Sequence, residues 1–264
     1  MKHQARKRFG QNFLTDDHVI DRIIQSIGIQ PDDKLVEIGP GQGALTREIL
    51  PLVNNLEVIE LDRDLILGLE LLKTRFAGLN IHNADAMRFD FNQLTNDAKP
   101  LRVVGNLPYN ISTPLIFNLL AHANIIKDMH FMLQKEVVER MAAEPGGGQS
   151  GRLTIMVQYR CKVEKLFIVP PESFDPQPKV ESAIVRLTPY TKLPFVAKDE
   201  NGLATLVTQA FSQRRKTLRN CLKTLLDAEQ IESLGIDPKR RPETLSVEEF
   251  VNLANLADQL NLFR

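Results

Sequence analysis

Apolar positions follow two alternating rhythms along the first 190 residues. From Asp16, the residues Val19, Ile20, Ile23, Ile24 and Ile27 return at helical spacing behind a capping candidate at Thr15 or Asp16, and the pattern stops at Gly28. After the turn Pro31-Asp32-Asp33, residues 34–38 form a short apolar run that reads as a buried strand. The glycine-rich turn Gly39-Pro40-Gly41-Gln42-Gly43 and a helix over 44–50 come next. The unit then repeats, with strand 56–61, helix 63–76, strand 79–83, strand 101–104, helix 112–123 and a fifth strand near 129–133. That strand leads into a helix ending around the glycine loop 144–148. Residues 151–160 fit helix or strand equally, and 166–169 and 183–187 read as closing strands. Strands and helices alternating at this pitch predict an α/β fold with a Rossmann-like, doubly wound, mostly parallel sheet and right-handed crossovers. Pro189 and Pro194 bracket a linker, beyond which 203–226 and 247–262 carry helical periodicity without a strand signal. Two domains are therefore expected: the α/β domain over 1–190 and a small all-helical C-terminal domain over 191–264.

Composition narrows the partners. The 264 residues are 43% hydrophobic and 25% charged, enough for one substantial α/β domain with an appendage. Thirty-three basic residues balance 33 acidic ones, so nucleic-acid binding would have to come from locally concentrated charge. Two stretches supply it without an interrupting acid: Lys2, Arg6, Lys7 and Arg8 at the start, and the run from Arg214 to Lys223. Cys161 and Cys221 have no Cys-x-x-Cys spacing, which argues against a zinc site or a disulfide framework and fits a reducing cytosol. The five histidines do not cluster at ligand spacing, so no metal is expected. Nothing reaches the length of a membrane span or resembles a signal-peptide core, and a cytoplasmic protein is expected.

The chemistry concentrates in two strand-end loops. Gly39, Gly41 and Ala44 fit a loose Gly-x-Gly-x-x-Ala pattern between strand and helix, and Glu60 ends the next strand. That geometry suits a dinucleotide, but also any adenosine cofactor, because glycines let the ligand approach the backbone and a carboxylate accepts both ribose hydroxyls. S-adenosylmethionine is the second candidate, with Asp85 at the third strand tip as a further acceptor for the adenine amine. The other loop is Asn106-Leu107-Pro108-Tyr109. An amide acceptor, a proline that stiffens the turn and a flat aromatic face together suit a planar amine. Adenine's exocyclic amine is a poor nucleophile until acceptors localise its lone pair. No acid/base of the kind hydride transfer needs follows the glycine loop, which favours a methyl donor beside an amine acceptor.

At this point four segments match a known pattern. Residues 8–14 (Arg-Phe-Gly-Gln-Asn-Phe-Leu), 37–43 (Glu-Ile-Gly-Pro-Gly-Gln-Gly), 106–109 and 174–182 (Phe-Asp-Pro-Gln-Pro-Lys-Val-Glu-Ser) together resemble the ribosomal RNA adenine dimethylases. The resemblance spans both domains and is strongest to the small-subunit branch, whose basic helical segment is similar to residues 213–220 here. It implies a Rossmann-like methyltransferase sheet, S-adenosylmethionine as methyl donor, and N6,N6-dimethylation of two adjacent adenosines in the 3′-terminal hairpin loop of 16S rRNA during ribosome assembly. It also implies a monomer whose partner is the small ribosomal subunit. By resemblance, Asn12 and Leu14 close over the donor, Gly39 and Gly41 bed its tail, Glu60 holds the ribose, Asp85 reads the adenine, and Asn106 lies between donor and target. The Asn106-Leu107-Pro108-Tyr109 loop grips the flipped base, with Tyr109 stacked on one face and Phe174 on the other. Arg214, Arg215, Lys216, Arg219 and Lys223 meet RNA phosphates from a helix face. Three alternatives stand beside this reading: a large-subunit methylase of the macrolide-resistance type, a non-catalytic assembly factor on the same fold, and an NAD-dependent oxidoreductase.

Overall fold

A computed structural model describes residues 12–95, 99–213 and 215–263. The chain divides into two compact units: residues 1–138 with 162–189, and residues 139–161 with 190–264.

In the first unit, β1 (Phe13–Leu14) precedes α1 (Asp17–Ile27), whose first turn is capped by Asp16 accepting from the Val19 amide, and which ends at Gly28 in the left-handed region. Then come β2 (Lys34–Ile38), α2 (Ala44–Ile49), β3 (Leu56–Glu60), α3 (Arg63–Lys73), β4 (Leu79–Asn83), β5 (Leu101–Asn106), α4 (Ser112–Ala121) and β6 (Ile126–Gln134). α5 (Lys135–Met141) runs across the division, and α6 (Arg152–Arg160) lies in the second unit. The chain returns to the first unit through β7 (Cys161–Val169), β8 (Phe174–Asp175) and β9 (Ser182–Pro189).

Seven strands form one sheet in the order β4-β3-β2-β5-β6-β9-β7. The pairs from β4 through β6 are parallel, and β9 is antiparallel to β6. From β2 the chain winds outward through β3 and β4, then returns to β5 on the other side of β2. That reversal opens a crevice at the carboxyl ends of β2 and β5, where ligands bind in doubly wound sheets. The glycine loop leaves β2 at this crevice and residues 106–109 leave β5. Apolar residues of α1 and α2, such as Ile23, Ile27 and Ile49, join Leu35, Leu56, Val58 and Leu79 of the strands in one buried cluster.

β1 and β8 pair separately as an antiparallel ribbon, with Phe13 opposite Asp175 and Leu14 opposite Phe174. The Thr15 amide donates to the Ser173 carbonyl, and the Ser173 hydroxyl donates to the Asp16 carboxylate at 2.9 Å.

The second unit continues with α7 (Glu200–Ala210), α8 (Leu218–Cys221), α9 (Ala228–Glu232) and α10 (Val247–Gln259). Its core gathers Ile155 and Tyr159 of α6 with Leu203, Leu206, Val207, Leu222, Phe250 and Leu253. This differs from a boundary at 190/191: residues 139–161 precede that point in the chain, yet α6 packs its apolar face into the helical core. The helical periodicity over 203–226 is likewise broken. Beyond Ala210, residues 211–213 and 215 form turns and a bend, and Arg215 has φ +70°. The break has a tertiary cause, because the Leu218 and Arg219 amides donate to the carbonyls of Arg240 and Pro238 instead of to a preceding helical turn.

Candidate active site

The crevice is lined by Asn12 to Leu14, by the β2 end and glycine loop, by Glu60 to Asp62, by Ala84 to Ala86, and by Asn106 to Ile111. Five separate segments thus meet around an open space of ≈ 1160 Å³ including its mouth. β5 extends to Asn106, two residues beyond the expected strand end, so Asn106 stands on the last strand position and not on the loop. This close approach of β2 and β5 depends on Gly105, where an added Cβ would lie 2.5 Å from the Ile38 carbonyl oxygen. Gly41 has φ +60°, and a Cβ there would meet the Phe13 ring at 3.2 Å. Position 41 therefore excludes a side chain both by conformation and by the β1 strap above it.

Glu60 is 6% exposed and organises the loop from below. Its carboxylate accepts from the Gly41 amide at 3.2 Å and from the Asp62 amide at 2.8 Å. Burial raises its pKa above the ordinary carboxylate value, against the lowering by these amides. Glu37, in β2, is 2% exposed and accepts from the Thr46 hydroxyl at 2.7 Å. Burial raises it to about 7, with the neighbouring Glu60 adding to the effect. Asp85 lines the crevice and accepts from the Met87 amide at 2.9 Å. Glu37, Glu60, Asp62 and Asp85 are all in the lining, and no Lys, Arg or His is, among the described residues. A diphosphate would find four acids and no cation here. A cationic ligand would find electrostatic complementarity.

On the opposite wall, the Asn106 amide nitrogen donates to the Asn12 carbonyl at 3.0 Å, which turns its Oδ1 to the other side. Leu107 is buried and its amide donates to the Met132 carbonyl, anchoring the loop to β6. Tyr109 is half-buried, with its hydroxyl 2.7 Å from the Ser182 hydroxyl. Burial raises the phenol pKa and the Ser182 bond opposes that shift.

Phe174 is not brought to the crevice. It is 3% exposed and packs with Leu14, Val169 and Ile184, because its ladder with Leu14 turns the ring into the apolar cluster. Tyr109 and Phe13 are the aromatic residues in the lining, and the expected partner ring of Phe174 is not among them. Arg215, Lys216, Arg219 and Lys223 are exposed in the second unit. They lie on a turn and the short α8 with its flank, not on one helix face. Arg214 and the N-terminal basic residues, with 8–11 of the first motif, fall outside the described residues. No helix is long and apolar enough to cross a membrane, and no cluster of metal-ligating side chains occurs, both among the described residues. Sequence reasoning assigned no role to Glu37, Asp62 or Ser182. The first and last stand inside matched motifs, and that position was the signal available for them.

The family model for ribosomal RNA adenine dimethylase matches residues 2–259. The chain belongs to this family. A ribosomal RNA small subunit methyltransferase A of Pseudomonas fluorescens is 60% identical over 262 residues, covering 98% of this chain and 96% of that protein. The crystal structure of a dimethyladenosine transferase from Plasmodium falciparum superposes with a TM-score of 0.78 at 29% identity, covering 91% of this chain and 95% of that one. That of the 23S rRNA methyltransferase ErmE superposes with a TM-score of 0.73 at 25% identity, covering 94% and 100%. The protein is a methyltransferase on a Rossmann-like sheet, and its methyl donor is S-adenosylmethionine. The acid-lined, base-free crevice fits that sulfonium cation and disfavours the dinucleotide that the glycine pattern alone also allowed.

Proposed function

We propose that this chain dimethylates N6 of two adjacent adenosines in the 3′-terminal hairpin loop of 16S rRNA during assembly of the small subunit, acting as a cytoplasmic monomer without a metal. The observation that carries this reading is the meeting of an acidic donor crevice and the Asn106–Tyr109 loop at one topological switch point. The small-subunit name of the 60% identical relative supports the choice of substrate.

Asn12 and Leu14 close over the donor, Gly39 and Gly41 accept its tail along their backbone, Glu60 holds the ribose hydroxyls and Asp85 the adenine amine. When bound, S-adenosylmethionine supplies a methyl carbon that the N6 lone pair attacks as the carbon–sulfur bond breaks toward sulfur. Asn106, with Nδ2 tied to Asn12, presents Oδ1 to an N6 hydrogen, and a main-chain carbonyl of the Leu107-Pro108 turn takes the other. These acceptors localise the lone pair, and Pro108 keeps them rigid. The amine becomes acidic as it is alkylated and releases its proton to water, so orientation replaces a dedicated base. The target base must leave its stack to reach the site, and Tyr109 replaces the lost stacking. Phe174 acts at one remove, holding β1 and hence Asn12 in place through the ribbon. Arg215, Lys216, Arg219 and Lys223, with Arg214, meet phosphates of the folded RNA.

Transfer of labelled methyl to unmodified small and large ribosomal subunits tests the assignment. Two methyls on each of two adenosines of the small subunit are expected. Label in the large subunit alone would overturn it, and binding without transfer would make the chain an assembly factor.

A further inference from the structure

Tyr109 could hold a base with its hydroxyl pointing anywhere, since stacking uses only the ring face. Here the hydroxyl is fixed. It lies 2.7 Å from the Oγ of Ser182, a side chain that is 0% exposed. Ser182 is the first residue of β9 and stands opposite Gln134 at the end of β6, while Asn106 of β5 stands opposite Met132 of the same strand. The loop leaving β5 therefore reaches across β6, and Tyr109 is moored on the strand beyond it, roughly 10 Å away at ordinary strand spacing. The corner carrying Ser182 is itself held, because the Lys135 amide donates to the Glu181 carbonyl at 3.0 Å and the two side chains form an ion pair at 2.7 Å. At the other end of the loop, the Asn106 amide is tied to the Asn12 carbonyl and the Leu107 amide to β6. The acceptor and the stacking face are thus oriented by independent attachments.

We propose that Ser182 is a positioning residue which, through the Tyr109 hydroxyl, fixes the plane of the stacked adenine and so carries the second methyl transfer more than the first. This rests on the reading of Tyr109 as the platform for the target base. The asymmetry between the two transfers follows from the amine. Unmethylated N6 bears two equivalent hydrogens, so either rotamer about the C6–N6 bond presents the same groups to Asn106 and the loop carbonyl. Once a methyl replaces one hydrogen, only one rotamer places the remaining N–H toward an acceptor and the lone pair toward the donor. The methyl must then occupy a defined space. A base free to tilt by the slack of an untethered ring loses little in the first transfer and much in the second.

The test uses Ser182→Ala, Tyr109→Phe and the double variant of the full chain with unmodified small subunits. N6-monomethyl and N6,N6-dimethyl adenosine are quantified by mass spectrometry, with donor affinity measured separately. Each single variant is expected to lower the rate of the second transfer about tenfold, to raise the monomethyl fraction, and to leave donor affinity and the KM for subunits within about twofold. The double variant should be no worse than either single one, because both remove the same bond. With only three tyrosines in the chain, ring-labelled tyrosine NMR resolves Tyr109, identified by its loss in Tyr109→Phe. Ser182→Ala should shift that resonance and leave the other two. Multiplicative losses in the double variant, an equal fall in donor affinity, or an unmoved Tyr109 resonance would overturn the proposal. Failure of the wild-type chain to methylate adenine would instead overturn the underlying reading, while the NMR experiment still reports on the mooring.

Discussion

The crevice of the first unit and the basic segment of the second place their functional side chains in opposite ways. In the crevice, side chains are held by specific hydrogen bonds: Glu60 by two backbone amides, Asn106 by a backbone carbonyl, Tyr109 by the Ser182 hydroxyl. Each has little freedom, and its value lies in position. In the basic segment, Arg215, Lys216, Arg219 and Lys223 stand exposed on a turn and a short helix, while Leu218, Cys221 and Leu222 beneath them carry the packing. Their value lies in charge, which acts at a distance and tolerates movement. On the proposed reading, geometry would do the chemistry and charge the docking, so the two can be broken separately.

The largest separation is expected from the crevice. Asn106→Ala removes the acceptor that localises the N6 lone pair and should lower the methylation rate about 10²- to 10³-fold. Tyr109→Ala should cost roughly 1–3 kcal/mol of base stacking, about 5- to 150-fold. Neither should alter the salt dependence of subunit binding, measured by filter retention at several ionic strengths. A change in salt slope would mean that the crevice also contributes to docking.

Buried geometry also has a titrating component, which should be the next largest effect. His130, in β6, is 3% exposed and has a pKa depressed to about 4, mainly by burial, with Arg186 and Arg102 lowering it further against the pull of Asp128 and Glu164. Its Nε2 accepts from Arg186 Nε at 3.1 Å, and its Nδ1 lies 3.6 Å from Asp128. Because the folded pKa is depressed, the unfolded chain binds the proton first. The stability associated with neutral His130 is complete above about pH 6.5 and is lost progressively as pH falls toward 4, by up to about 3 kcal/mol. Glu37 works in the reverse sense: its raised pKa gives stability that is complete below the unfolded value near 4.5 and is lost as pH rises through about 7. Denaturant titrations from pH 4 to 7 should therefore compare His130→Gln with the wild type, so that Glu37 cancels. The variant should lose the share of the acid-side decline that His130 contributes. An identical pH profile would show that His130 titrates normally.

Neutralising Arg215, Lys216 and Arg219 together should reduce the slope of log affinity against log salt by about 2–3, roughly one unit per phosphate contact, with kcat at saturating subunits unchanged within about twofold. An unchanged slope would remove the second unit from the docking surface.

The two regions also differed in how far the sequence revealed them. The alternation of strands and helices, the glycine loop and the Asn106–Tyr109 loop are local patterns, and each lies on the element its pattern predicts, apart from Asn106 on the strand end. What stayed hidden depended on distant partners. Residues 203–226 keep helical spacing across a break because Leu218, Cys221 and Leu222 still point inward after it, while the break is made by the carbonyls of Arg240 and Pro238, about twenty positions away. α6 could not be assigned to the second unit because its burial partners come from beyond residue 190. Phe174 and Ser182 lie in one motif, yet the pairing of the first with Leu14 and the bond of the second to Tyr109 depend on residues far along the chain.

The smallest effect distinguishes charge used for docking from charge used for folding within the second unit itself. Arg240 is as basic as its neighbours in sequence, but its guanidinium is spent on Glu249 and on the Thr244 carbonyl at 2.7 Å. Glu249 in turn accepts from the Ser246 amide at 2.8 Å, closing the capping box at the start of α10. Burial pushes the Glu249 carboxyl up, but the hydrogen bonds from Arg240 and Ser246 outweigh it and hold the pKa below the ordinary value. The pair therefore stabilises the fold above the unfolded pKa near 4.5, and that contribution fades as pH falls. Glu249→Gln keeps the acceptor for Ser246 but removes the charge facing Arg240, and should cost about 0.5–1 kcal/mol in denaturant unfolding at pH 7, with the cost shrinking as pH falls below the unfolded value near 4.5. It releases a positive charge without deleting one, so the salt slope of subunit binding should not fall. A fall comparable to that of the triple variant would mean that the 240–249 pair is itself part of the docking surface and that folding charge and docking charge are not separate in this unit.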